Sequence, residues 1–257
     1  MKKTVLRALA WVSILPVFIS CNIYSPLSTV SGDEDYREQA LSCLQQGNYS
    51  CALSNYGKLS DPTEKAQDMC TVNLSEAGMS LAALVNIVTS KNTGSKLLGA
   101  LAQQVVPWSA GNGAAAAQAV TLCSSIPAET SSGNLTTLLQ VLSLVLDCST
   151  RMAKTDQFVG LSDSDTNCTT PGNQNGLIEA TDISAASDGV PSGSGSPAMC
   201  TSDVQACISD IATAIGLLNV LQNAGLGDLA NNLQPAAAIV SATPDQARVI
   251  LRGFTIH

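Results

Sequence analysis

The chain has 257 residues and carries 12 Lys and Arg against 20 Asp and Glu, a net charge of −8, with 12% charged and 4% aromatic residues. Nucleic-acid binding draws its affinity from Lys and Arg on phosphates, so this balance excludes that class, and it disfavours electrostatic docking on anionic lipid. The length allows a real core in one large domain or two small ones, and a mixture rich in Ala, Leu, Ser, Thr, Asn and Gln suits helices with a polar, weakly charged surface.

Lys2, Lys3 and Arg7 precede an apolar run from Ala8 to Ile19, followed by Ser20-Cys21. A basic end, a short apolar stretch and a small exit residue predict an export signal over 1–20. At about 12 residues the stretch is too short for a permanent span, which needs about 20. A Cys directly after the small residue resembles the lipobox of bacterial lipoproteins, although Phe18 replaces the usual Leu. That resemblance implies cleavage before Cys21 and acylation of its sulfur and amine, palmitate included. Asn22 in place of Asp after the Cys implies, by the same resemblance, the periplasmic face of the outer membrane. Without the signal, the 12 basic side chains lose three and become 9 against the same 20 acids.

Residues 21–32 are rich in Ser, Pro and Thr and lack apolar periodicity, which predicts a flexible tether. An all-α domain is expected over 33–257. Asp33–Gln46 and Tyr49–Leu59, separated by Gly47-Asn48, predict an antiparallel helical hairpin over 33–62. Asp61-Pro62-Thr63-Glu64 gives a cap, a first-turn Pro and a Glu that open a helix expected to run to about Thr89. Ser95–Val106 and Gly113–Ser124 read as shorter helices stopped by Pro107 and Pro127, and Leu135–Lys154 as a longer, deeply buried one. A polar loop near 160–200 follows, with one helical candidate at Leu177–Ser187. Ser202-Asp203-Val204-Gln205 reads as a capping box opening a helix to about Ala224, and Thr243-Pro244-Asp245-Gln246 as another opening a final helix. No strand pattern is evident, and no run after residue 20 reads as a membrane span.

Within the hairpin, Tyr36 and Ala40, the Gly47-Asn48-Tyr49 turn, and Ala52 and Tyr56 match the large and small positions of a tetratricopeptide repeat. The hairpin resembles one such unit, and the fold is expected to be helical hairpins stacked into a repeat-like or irregular α-bundle. No second copy matches well, and a solitary unit of this class needs neighbours to bury its core. The resemblance implies a concave face lined by the first helix, with Glu34, Arg37 and Gln45 as candidate partner-binding residues. The implied role is a membrane-anchored periplasmic scaffold for another envelope protein.

Besides Cys21, cysteines stand at 43, 51, 70, 123, 148, 168, 200 and 207. An even set in an exported chain predicts disulfides, and eight cysteines leave 105 pairings open. With no CxxC and one histidine, His257, zinc and thioredoxin-type readings lose their ligands and spacing. The same lack of a base removes Ser-His-Asp and Cys-His catalysis, and no phosphate-binding glycine loop occurs, so no enzyme is expected. Asp163-Ser164-Asp165-Thr166-Asn167 offers oxygens at alternate residues as calcium loops do, and Asn175-Gly176 through Asp182 resembles the second half of such a loop. An eight-residue insertion separates the halves. Asp163, Asp165, Asn167 and Asp182 are therefore candidate Ca²⁺ ligands for the alternative reading, a calcium-stabilised structural or surface lipoprotein. Otherwise no cofactor is expected. A third reading, a small-ligand carrier using apolar space near Leu135–Leu146, lacks a polar anchor.

Overall fold

The computed structural model describes residues 32–79, 108–126, 133–155, 158–159, 170–171, 199–223 and 227–252. These are overwhelmingly helical: α1 Asp33–Gln45, α2 Tyr49–Tyr56, α3 Pro62–Glu76, α4 Ala110–Ser124, α5 Gly133–Lys154, α6 Thr201–Gly216, α7 Leu218–Asn223, α8 Gly227–Leu233, a 3₁₀ helix Gln234–Ile239 and α9 Pro244–Arg252. The expected all-α class holds. Phe158–Val159 pairs antiparallel with Thr170–Pro171, two residues a side, a small strand contact that no sequence pattern announced.

Several boundaries follow from identifiable caps. Asp61 accepts from the amides of Thr63 at 2.7 Å and Glu64 at 3.0 Å, which fixes the start of α3 with Pro62 in its first turn. Thr243 and Gln246 exchange bonds as a capping box does, Gln246 N–H to Thr243 Oγ1 at 3.3 Å and Thr243 N–H to Gln246 Oε1 at 3.0 Å. Helices α1 and α3 both end in a Schellman motif. In α3 the Gly78 amide donates to Ser75 O and the Met79 amide to Leu74 O, with Gly78 at φ 105°. In α1 the Gly47 amide donates to Leu44 O and the Asn48 amide to Cys43 O, with Gly47 at φ 68°. Only glycine enters this left-handed region without steric cost, so Gly78 stops α3 at Glu76, well short of the expected Thr89.

The Ser202 capping box does not form. Helix α6 begins at Thr201, its cap position two residues earlier than expected, at Cys200, with no side-chain bond there. Asp203, inside the first turn, is buried and bonded to α5 instead. The same helix, expected to run unbroken to about Ala224, is interrupted at Leu217 before α7.

The core sits around α5. From Val141 to Thr150 every residue is buried, so this helix is enclosed on all sides, as a helix apolar nearly all round requires. It packs on α3, α4, α6 and α7. Its Leu139, Leu142, Val145 and Leu146 meet Ala115, Ala116 and Ala119 of the Ala-rich α4 and Val204, Ile211 and Ala214 of α6 in one cluster. The alanines let α3 and α4 approach closely. On α6 and α7, Val204, Cys207, Ile211, Ala214, Leu218 and Leu221 are buried at alternating steps of three and four, the seam of one helix against another.

A second, smaller cluster holds the hairpin. Ala40 and Ala52, both fully buried, bring α1 and α2 together, and Tyr56, Leu59 and Val72 of α3 complete it with Tyr36, Tyr49 and Met69 at its edge. Helix α3 therefore serves both clusters, with Met69 and Val72 on the hairpin side and Ala66, Cys70 and Leu74 on the main side.

The stretch Thr201–Asn223 is long and apolar enough to cross a membrane by length and composition, a property the sequence reading did not credit to it. Cys207 ties it covalently to α5, and Asp203 and Asp210 face that helix.

Candidate functional site

Three bridges join helices in pairs: Cys43–Cys51 links α1 to α2, Cys70–Cys123 links α3 to α4, and Cys148–Cys207 links α5 to α6. Cys200 is disulfide-bonded too. The structure thus selects among the pairings the sequence left open. Cys21 and Cys168 lie outside the described residues, as do the candidate calcium ligands Asp163, Asp165, Asn167 and Asp182. Among the described residues, no group of three or more His, Cys, Asp or Glu is arranged to hold a metal ion.

The candidate partner-binding residues separate into two kinds. Glu34 and Gln45 are exposed on α1, in line with exposed Glu38 and Leu41 at steps of four, three and four. These four share one solvent face, and Leu41 at its middle is 51% exposed. Arg37 lies on the neighbouring face and pairs with Glu64 and Asp68 of α3, a brace between hairpin and main body. Around it, burial pushes the Asp68 carboxyl and the Tyr56 phenol upward. Asp33 at the start of α1 accepts from the hydroxyl and the amide of Ser60, and those bonds hold its carboxyl below the usual range. The first turn of α1 thereby grips the α2–α3 connection.

The principal charged constellation lies elsewhere, between α5 and α6. Arg151 donates from Nε at 3.0 Å and Nη2 at 2.8 Å to Asp147 Oδ2, one turn earlier on α5, and from Nη1 at 3.2 Å to Asp203 Oδ1 on α6. Lys154 Nζ donates to the other oxygen of Asp203 at 2.9 Å and stands 5.9 Å from the Trp108 ring centre. Asp147 and Asp203 are buried, while the two cations keep partial access to water. Burial works against the Arg151 charge, yet Asp147, by charge and hydrogen bond, and then Asp203 and Asp210 more than restore it, so its pKa is raised.

Asp210 completes the group from α6. Burial, then a hydrogen bond and charge from Asp147, push its carboxyl up to about 8. Its Oδ2 is buried and has no hydrogen-bond partner among the described residues. At neutral pH Asp210 therefore keeps its proton beside Asp147.

A cleft of about 210 Å³ opens beside these charges, lined by Trp108, Gly113, Thr150, Arg151, Lys154 and Asp203 among others. The indole lies against Gly113, where an added Cβ would stand 3.3 Å from the ring. The cations and carboxylates of this wall bond to one another. A second cavity of about 390 Å³ lies between the 3₁₀ helix and α9, lined by Ala238, Ser241, Ala242, Gln246, Val249 and Ile250. Neither is lined by Leu135–Leu146, the run that the carrier reading invoked.

No family model, curated protein or solved structure matches the chain.

Sequence reasoning missed the α5–α6 charges, although a signal was present. Asp147, Arg151 and Lys154 stand at steps of four and three within an apolar helix, and Asp203, Cys207 and Asp210 repeat that spacing. Charged residues at core-facing spacing on two helices point to each other.

Proposed function

We propose that this chain is an exported lipoprotein, acylated at Cys21, whose helical domain holds a protein partner at the periplasmic face of the outer membrane. The observation that carries the reading is the outer face of α1. There Glu34, Glu38, Leu41 and Gln45 are all exposed, with an apolar side chain half uncovered between acids and an amide. Acids flanking an apolar centre fit a basic segment of protein that places one apolar side chain on Leu41. Export is supported by the bonded state of all seven cysteines among the described residues, which suits an oxidising compartment.

The test is photocrosslinking in living cells from a reactive residue at Gln45, with Leu41→Asp as the companion variant. One abundant envelope protein captured at Gln45 and lost in Leu41→Asp supports the reading. Capture of nothing, or capture unchanged by Leu41→Asp, removes α1 as the partner face. The anchor is checked separately by metabolic palmitate labelling, which Cys21→Ser must abolish.

A further inference from the structure

Two carboxyls that face each other across a helix pair cannot both ionise cheaply. The α5–α6 interface places Asp210 against Asp147, and one turn away the Cys148–Cys207 bridge fastens the same two helices. Beyond the bridge, Arg151 and Lys154 hold Asp203. Three carboxyls thus meet two cations. The described groups balance only when one carboxyl is neutral, and burial, with Asp147 facing it, makes Asp210 the one that keeps its proton.

We propose that the α5–α6 seam is a proton-operated latch: a proton on Asp210 closes the seam through the Asp210–Asp147 hydrogen bond, and its loss sets two carboxylates face to face and loosens α6 beyond the disulfide. This inference does not rest on the lipoprotein reading. Among the described residues, the ionisable groups on the elements packed against α6 are these. On α5 the facing groups are Asp147 and Arg151, with Lys154 engaged on Asp203. Helix α4, the 3₁₀ helix and α7 contain no ionisable side chain apart from the disulfide-bonded Cys123. Helix α9 carries Asp245, Arg248 and Arg252, and Arg248 is occupied at Thr201, nine residues or about 13 Å of helix rise from Asp210. The buried, unpartnered Oδ2 of Asp210 is the atom on which a negative charge would stand without a donor.

The direction with pH follows from linkage. In the unfolded chain Asp210 ionises near its ordinary 3.8, whereas in the fold it keeps its proton up to about 8. The native state therefore binds more protons between these values. Stability contributed by the proton is fully present below about 4, declines as pH rises, and is gone above about 8. One proton changes the unfolding equilibrium by at most about tenfold per pH unit in that window.

The test is urea unfolding of the full-length protein in detergent, followed by far-ultraviolet circular dichroism from pH 5 to 9, for the native sequence and Asp210→Asn. The expected result is an unfolding equilibrium that rises toward tenfold per pH unit for the native protein relative to the variant, levelling above pH 8. Parallel profiles for the two proteins overturn the proposal. Should Asp210→Asn fail to fold, carbon-13 labelling of Asp carboxyls in the native protein gives an independent answer. One carboxyl titrating near pH 8 sustains the latch, and completion of every Asp titration below pH 6 overturns it.

Discussion

Arg248 is the polar side chain by which α9 reaches the start of α6, beside the buried Ala247 and Leu251, and its removal is the most informative stability test. It is 2% exposed, and three of its hydrogen bonds tie it to neighbouring residues. Nε donates to Met199 O at 2.9 Å, Nη2 to Thr201 Oγ1 at 2.9 Å, and Nη1 to Asp245 Oδ1 at 2.6 Å. Two of these reach residues 47 and 49 positions earlier, at the start of α6. Hydrogen bonds to a charged group contribute about 1.5–3 kcal/mol each, but Asp245, 43% exposed, recovers water when its partner goes. The loss is therefore concentrated on the orphaned bonds at Met199 and Thr201 and on the cavity left by a large buried side chain. Arg248→Ala should lower the unfolding free energy by about 3–5 kcal/mol, from two acceptors left unpaired at about 1–3 kcal/mol each and the cavity beside them. Arg248→Met, which keeps much of the volume, should recover part of that loss. Urea titrations give the magnitude, and hydrogen exchange should show the amides of α9 losing protection first. A loss below about 1 kcal/mol for Arg248→Ala, or exchange that accelerates evenly across the domain, would refute this account of how α9 is attached.

Three further outcomes are expected. Replacing Cys70 and Cys123 together by Ala opens a loop of 53 residues, for which the chain-entropy relation gives a loss of about 4 kcal/mol, measurable by the same titration. Asp61→Ala removes the acceptor for two first-turn amides of α3 and should cost about 1 kcal/mol, with a slightly lower thermal midpoint. With Cys21 acylated as proposed, peptide mapping under non-reducing conditions should join Cys200 to Cys168; a Cys21–Cys200 peptide would remove the lipoprotein reading.

How much of this was legible in the sequence depended on the range of the interaction. Local devices were readable: the Asp61 cap, the Thr243–Gln246 box and the short Gly47-Asn48 turn each act within five residues. The enclosed character of α5 was readable too, because only Gln140 and Ser143 interrupt the apolar residues from Leu138 to Leu146. Gly78 was passed over because the apolar stripe continues past it, yet a left-handed C-terminal glycine outweighs periodicity. The Ser202 box misled for the opposite reason. Its Asp203 is recruited by Arg151 and Lys154, about fifty residues away, and a tertiary ion pair displaced the local cap. The Asp147–Asp210 contact and the reach of Arg248 likewise exist only after helices distant in sequence are paired.

The order of the bridges along the chain has a consequence for biogenesis. Cys43–Cys51 and Cys70–Cys123 each join one cysteine to the next in sequence, whereas Cys148 passes over Cys168 and Cys200 to reach Cys207. In the exported chain proposed above, with Cys21 acylated, a thiol oxidase acting on cysteines in the order in which they emerge makes the first two bonds correctly without help. At the third it joins Cys148 to Cys168, a wrong partner that must be exchanged before α5 and α6 can close on each other. If the chain is exported as proposed, the N-terminal half of the domain can thus mature during translocation, while the C-terminal half depends on a disulfide isomerase.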